Sequence, residues 1–249
     1  MSITIYPFEK QHKGGFNNDE ILENKPIQLS DDTRKLQPYS NIFYWAHAWS
    51  NEGSLIEEHP HKIFEIMSFI TKGWIEHYDS KNRTWKRLQE GDAQIIRAGS
   101  GISHAERLGP GAEMFQIWVD PGIENTIGNP ASYDDYSSDS FPVKNEEGKT
   151  IKIYHGSGSP LEMVTPGLTI KDITFSTQEQ KLEFDDEKVY SIYVVEGEIT
   201  LNEGNVKKND FIQVKEEKEL YLNSSSEAKI FMIESPAKVE YATYAERYV

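Results

Sequence analysis

The stretch His59-Pro60-His61 concentrates metal-ligating chemistry in a chain that otherwise spends histidine sparingly. Seven histidines in 249 residues would yield only about 0.2 His-x-His pairs by chance. On a strand, residues i and i+2 face the same side, so the two imidazoles project together as a grip on a transition metal. A third histidine, His104, follows the glycine-rich turn Gly99-Ser100-Gly101, and Glu106 lies two residues further along on the same face. Two such pairs on two strands can converge inside a barrel. Glu65, six residues beyond His59, keeps the same parity, so the spacing alone leaves Glu65 and Glu106 both open as the carboxylate of the set. Gly99 and Gly101 supply the backbone freedom that swings His104 inward.

The elements that must carry these groups read as strands. Short runs rich in Ile, Val, Phe, Tyr and Trp, separated by Gly, Asp, Asn and Ser, cover residues 64–70, 74–77, 93–97 and 113–119. The same texture returns at 168–175, 189–195, 198–201, 210–214 and 229–234, and helical periodicity over three turns is absent. The expectation is an all-β protein. Residues 121–149 are polar and rich in Gly, Pro, Ser and Asp, which reads as a connection between domains. The expected division is residues 1–125 as an N-terminal barrel with the metal site, 126–148 as the connection, and 149–249 as a C-terminal barrel without metal.

The halves also resemble each other. Phe69-Ile-Thr-Lys-Gly73-Trp-Ile-Glu parallels Val194-Val-Glu-Gly197-Glu-Ile-Thr, and Glu90-Gly-Asp92-Ala-Gln-Ile parallels Asn209-Asp210-Phe-Ile-Gln-Val. In each, a strand reaches a turn glycine, a second strand returns, and a later Asp opens a further strand. Two tandem β-barrels of one ancestral kind account for the repeat.

Composition removes several classes of function. The absence of cysteine excludes disulfides, thiolate metal sites, iron–sulfur clusters and cysteine nucleophiles, so any metal must be held by His, Asp or Glu. Lys and Arg number 26 against 41 Asp and Glu, and the formal charge of −15 argues against direct nucleic-acid binding. The densest basic stretch, residues 81–87, reads as a solvated hairpin tip. No apolar run is long enough to span a membrane, and the first fifteen residues lack a signal-peptide pattern, so a cytoplasmic location is expected.

The spacing Gly53-x5-His59-x-His61-x3-Glu65-x7-Gly73 resembles the first cupin motif, and Gly91-x5-Arg97-x-Gly99-x4-His104 resembles the second. More closely, His59-Pro-His-Lys-Ile-Phe-Glu65, Ala98-Gly99-Ser-Gly101-Ile-Ser-His104-Ala-Glu106 and Gln116-Ile-Trp118-Val119 resemble the pirin family of bicupins, over roughly residues 53–120. The resemblance implies two stacked cupin barrels and one iron in the first, held by His59, His61, His104 and Glu106. Glu65 would then be a neighbouring hydrogen-bonding group, whereas the general cupin motif makes it a ligand. Two residues depart from the family pattern: Lys62-Ile63 stands where pirins typically carry Arg-Gly, and a bulky Ile63 beside the metal would narrow the pocket. In the second half, a shift of 124 residues puts Glu183 and Asp185 where His59 and His61 stand.

Three neutral imidazoles and one carboxylate around a divalent ion leave a net charge near +1 and open coordination positions, suited to dioxygen and an anionic substrate oxygen. Iron(II) is the metal that the resemblance implies, and Ni, Co, Mn or Cu fit the same donors. The implied activity is that of a dioxygenase opening a flavonol such as quercetin, or a similar enolic small molecule, with Glu106, or Glu65 nearby, accepting the hydroxyl proton. The alternative is an iron-dependent redox sensor or protein-interaction module without turnover. His77 is expected to support a ligand by hydrogen bonding, and Met67, Phe69, Gln116 and Trp118 are candidates to line the pocket.

Overall fold

Residues 2–176 and 179–247 are described by the computed structural model of the chain. The runs read as strands from their alternation all form strands, among them Glu65–Lys72, Trp74–Asp79, Ala93–Arg97, Ala112–Val119, Lys188–Glu196 and Ala228–Pro236. Among the described residues helix is confined to single turns such as Ile123–Thr126 and Tyr244–Arg247. Among the described residues no helix is long and apolar enough to cross a membrane.

The strands build two barrels with the same plan, each a seven-stranded and a four-stranded antiparallel sheet. In the first barrel the large sheet centres on Glu65–Lys72, flanked by Ala93–Arg97 and Ala112–Val119. In the second, Lys188–Glu196 takes that place between Phe211–Lys215 and Ala228–Pro236. The repeat seen in the sequence is therefore a structural repeat, and the protein is a bicupin. Its turn glycines explain why the motif survived. Gly73 (φ 70) and Gly197 (φ 82) both adopt the left-handed conformation. A Cβ on either would press on an alanine that opens a strand paired with the one before the turn, Ala112 or Ala228, at 3.2 Å and 2.9 Å.

Two compact units divide the chain, and they are not consecutive halves. One comprises Gln11–Ser140, Leu161–Pro166 and Glu240–Val249; the other comprises Met1–Lys10, Phe141–Pro160 and Gly167–Val239. This differs from the division expected at 1–125, 126–148 and 149–249 because each large sheet takes its outermost strand from outside its own block of sequence. Ser2–Tyr6 pairs with Phe211–Lys215 in the second barrel. Ser132–Tyr136, inside the polar stretch read as a connection, pairs with Ala93–Arg97 in the first. Polarity misled the reading there, since an edge strand buries only one face.

The interiors differ in chemistry. The second barrel is filled by an apolar cluster that includes Phe175, Ile192, Val214 and Met232. Its counterparts of the two histidine-bearing strands, Gln180–Glu183 and Glu219–Asn223, send Leu182, Leu220 and Leu222 inward, while Glu183 and Asp185 are exposed. The first barrel buries polar side chains instead: Ser68, His77, Gln94, His104 and Glu106 are all at most 1% exposed.

Candidate metal centre

The four-stranded sheet of the first barrel places the histidines. Ser54–His61 and Ile102–Leu108 run antiparallel, with His104 opposite His59 and Ile102 opposite His61. Alternation sends His59, His61 and His104 to the same side. Their ring centroids lie 4.4–4.9 Å apart, and one ring nitrogen from each lies within 4.8 Å of the other two. A bulge between His104 and Glu106 shifts the register on the strand bearing His59, while the opposite neighbour pairs Glu106 with His77. Glu106 accordingly falls into a second group with His104 and His77, within the same 4.8 Å limit. His104 belongs to both groups.

Hydrogen bonding fixes which nitrogens face the centre. His59 Nδ1 lies 2.8 Å from the Glu57 carbonyl oxygen, and His104 Nδ1 lies 2.9 Å from His77 Nε2. Those contacts leave Nε2 of His59 and His104 for a metal. His61 Nε2 and His104 Nε2 are buried without a hydrogen-bond partner, the condition of a nitrogen shaped to ligate. The donor set thus fits a divalent transition metal. Bonding through His104 Nε2 leaves its Nδ1–H to donate to His77 Nε2, and His77 is itself stacked on Tyr133 at 4.8 Å with planes 9° apart. His77 therefore braces His104, by a hydrogen bond that its position on the returning strand could hint at but not specify.

Glu106 is fully buried and held at both oxygens. Ser68 Oγ donates to Oε1 at 3.1 Å and Gln116 Nε2 donates to Oε2 at 2.6 Å. Ser68 takes a further bond from Gln94 at 3.0 Å, and Trp118 Nε1 donates to Gln116 Oε1 at 3.1 Å. Gln94, Ser68 and Gln116 are direct neighbours across three adjacent strands, so one row of the sheet cradles the carboxylate. This row decides which candidate pocket residues face inward. Gln116 and Trp118 do. Met67 and Phe69 flank Ser68 on the same strand and point to the other face, which corrects their expected place in the pocket.

Glu65 does not join the cluster, which corrects its candidacy as ligand or base. It is 1% exposed, and it accepts from the Val164 and Thr165 backbone N–H groups at 2.8 Å each and from Thr165 Oγ1 at 2.5 Å. Arg97 Nε lies 3.8 Å away. Its lone pairs are committed to residues 161–166. Ile63 likewise lies elsewhere than expected: it lines a small cavity with Glu65 and Arg97, not the cavity of the histidines. Its φ of 83 is costly for a β-branched side chain. Ile63→Gly should relieve strain of about 1–3 kcal/mol, offset by about 0.5–1 kcal/mol of extra unfolded-state entropy. A rise of about 1 kcal/mol in urea-unfolding stability is expected; a fall would mean that the lost packing outweighs the strain.

Burial also sets the protonation of the site. It lowers His61 to about 4, with His59 adding to the effect, and His77 to about 3 against the pull of Asp79. His104 is held well below 6.5 for the same reason. Glu106 is raised by burial to about 7, against the opposing bonds from Ser68 and Gln116. The stability contributed by the neutral histidines is complete above about pH 6.5 and is lost as pH falls through about 4. Glu106 has the opposite sign: its contribution is complete below about 4.5 and is lost as pH rises through about 7. Three groups outweigh one. Metal-free protein should therefore gain stability from pH 4 to a maximum near 6.5, then fall slightly by pH 8, in urea titrations with chelator. A flat profile would contradict buried neutral histidines.

The centre opens into a cavity of about 160 Å³ lined by His59, His61 and Glu106 together with Tyr44, Met114 and Trp118. Trp118 stacks on Phe64 and Tyr44 and meets His61 edge-on at 5.0 Å. Two repeated cupin barrels, with histidines and a carboxylate clustered only in the first among the described residues, define the class as a bicupin with one candidate metal centre.

Residues 25–119 match the family model described as Pirin. A putative quercetin 2,3-dioxygenase of Zymomonas mobilis is 27% identical over 193 residues, 73% of this chain and 76% of the relative. A quercetin 2,3-dioxygenase of Escherichia coli K12 is 25% identical over 182 residues, covering 72% and 75%. The crystal structure of a bacterial pirin from Escherichia coli in complex with nickel(II) superposes with a TM-score of 0.77 at 20% identity, over 95% of this chain and all of that one. Together these findings support assignment to the pirin family.

Proposed function

We propose that the protein is a metal-dependent dioxygenase acting on a flavonol or a similar enolic small molecule, with iron(II) held by His59, His61, His104 and Glu106. The observation that carries this reading is the cavity at the centre. A purely structural metal site is closed by protein, whereas this one opens to a pocket with aromatic walls. The relatives named quercetin 2,3-dioxygenase support the same substrate class.

A bound divalent metal would supply Lewis acidity and redox capacity toward dioxygen. The chain's own residues do the rest. Tyr44 and Trp118 would line the space beside a planar substrate, and their stacking on each other keeps both rings in place. Glu106 would accept the substrate hydroxyl proton, and the bonds from Ser68 and Gln116 would hold its two oxygens in place. Location in the cytoplasm belongs to the same reading.

Aerobic turnover of a flavonol panel by iron-loaded protein tests the proposal. Glu106→Gln should retain much of the metal on three histidines yet lose most turnover, about 100-fold or more, because an amide is a poor base. Glu65→Gln should leave turnover by the folded protein close to normal. If the unmodified protein, loaded with iron, consumes no oxygen with any enolic substrate, the redox-sensing alternative takes precedence.

A further inference from the structure

The cavity that His59 and His61 line holds a further polar group that the metal centre does not use. Glu23, on the strand Ile21–Ile27, lines the cavity together with Tyr44 and is only 6% exposed. Its carboxylate is fixed at both ends. Tyr44 Oη donates to Oε1 at 2.9 Å, and Lys25 Nζ contacts Oε2 at 3.3 Å. Lys25 is itself largely buried, and its ammonium lies 6.0 Å from the centre of the Tyr44 ring. Gly14, paired with Glu23 on the neighbouring strand, leaves room for this ion pair: a Cβ there would come within 2.5 Å of Lys25 Nζ and 2.9 Å of Glu23 Oε2. A carboxylate buried, paired and braced in this way is a built feature of the pocket wall. Each of its oxygens keeps a lone pair beyond the bond it already makes, and can accept from a ligand.

The size of the space narrows what can lie between Glu23 and the histidines. Cavities near 150 Å³ hold one benzene-sized ring, whereas enclosing a drug-sized ligand takes about 300–1,000 Å³. At about 160 Å³ this cavity has room for one ring, with Tyr44 and Trp118 in its wall.

We propose that the substrate is a single-ring enol or phenol carrying a second hydroxyl, which donates to Glu23 while the first oxygen faces the histidines. Glu23 then sets specificity, and Tyr44 and Lys25 position its carboxylate. The inference rests on the proposed metal centre for the placement of the first oxygen.

Binding to nickel(II)-loaded protein, followed by tryptophan fluorescence and calorimetry, tests this without turnover. Resorcinol should bind about ten- to a hundredfold more tightly than 3-methoxyphenol, the value of one hydrogen bond to a charged acceptor. The preference should shrink in Glu23→Gln, whose neutral amide oxygen is a weaker acceptor, and also in Tyr44→Phe, which removes one of the two bonds that hold the carboxylate. Quercetin should gain less than about tenfold over resorcinol, because its further rings remain outside the cavity. Equal binding of resorcinol and 3-methoxyphenol to the unmodified protein would overturn the proposal, and that measurement depends on no variant. An unchanged preference in Glu23→Gln would overturn it too, as would a larger gain for quercetin. If the preference depends on Glu23 but binding is the same in metal-free His61→Ala, the role of Glu23 stands and the metal-centre reading fails.

Discussion

Replacing His61 with alanine is expected to take bound metal from one equivalent per chain to none after dialysis against a weak chelator. His61 offers a buried Nε2 with no hydrogen-bond partner, and its ring packs edge-on against Trp118 and Phe64. Removing a hydrogen-bonding supporter of a ligand usually costs about 10–100-fold in affinity, and loss of a ligand should exceed that. His77→Phe separates the two cases. The phenyl ring can keep the stack on Tyr133 but cannot accept from His104, so affinity should fall within the 10–100-fold range while stoichiometric binding at high metal persists. Glu183→Ala should leave the metal content unchanged, because that exposed carboxylate belongs to the other barrel. Elemental analysis of the three variants decides the assignment. Metal lost from Glu183→Ala and retained in His61→Ala would reverse it.

Glu65→Ala should be the most destabilising single truncation of a carboxylate in the first barrel, by about 3–5 kcal/mol. The side chain accepts three hydrogen bonds from Val164 and Thr165, and its charge faces Arg97. Alanine would leave those N–H groups and the hydroxyl buried without an acceptor, and each such loss is itself costly. Arg97 would retain its bonds to Asp134 and Ser132, which limits the damage to the segment 161–166. Glu65→Gln keeps one acceptor oxygen but turns an NH2 toward donors, so a loss of about 2 kcal/mol is expected. Urea unfolding measures both. Metal stoichiometry in the folded fraction should be unchanged. A Glu65→Ala variant that unfolds like the unmodified protein but loses its metal would restore Glu65 to the ligand set.

The contrast between Glu65 and Glu106 shows where sequence reading reaches its limit. Both lie at the right parity to join His59 or His104, and spacing alone could not choose between them. The choice depends on residues distant in the chain. Val164 and Thr165 meet Glu65 across about a hundred positions, while Ser68 and Gln116 reach Glu106 from two other strands. Ile63 makes the same point on a smaller scale. Its bulk was legible, but the left-handed φ of that position and the cavity into which it points were not.

What the sequence determined by itself was everything that depends on local order. Alternation over five to nine residues dictates strands, a glycine at a left-handed turn dictates the hairpin, and their recurrence after 124 residues dictates two like barrels. The His-x-His and His-x-Glu pairs also follow from local order, because strand parity puts each pair on one face. The tertiary structure decided which strands close each sheet, since Ser2–Tyr6 and Ser132–Tyr136 find their partners through edge pairing that no local pattern encodes. It also decided that His77 braces His104, that Glu65 braces residues 161–166, and that Glu23 lines the same cavity as His59 and His61. Hydrogen bonds and cavity walls are set by distances of a few ångströms between residues far apart in the chain, and only the closed barrel brings those residues together.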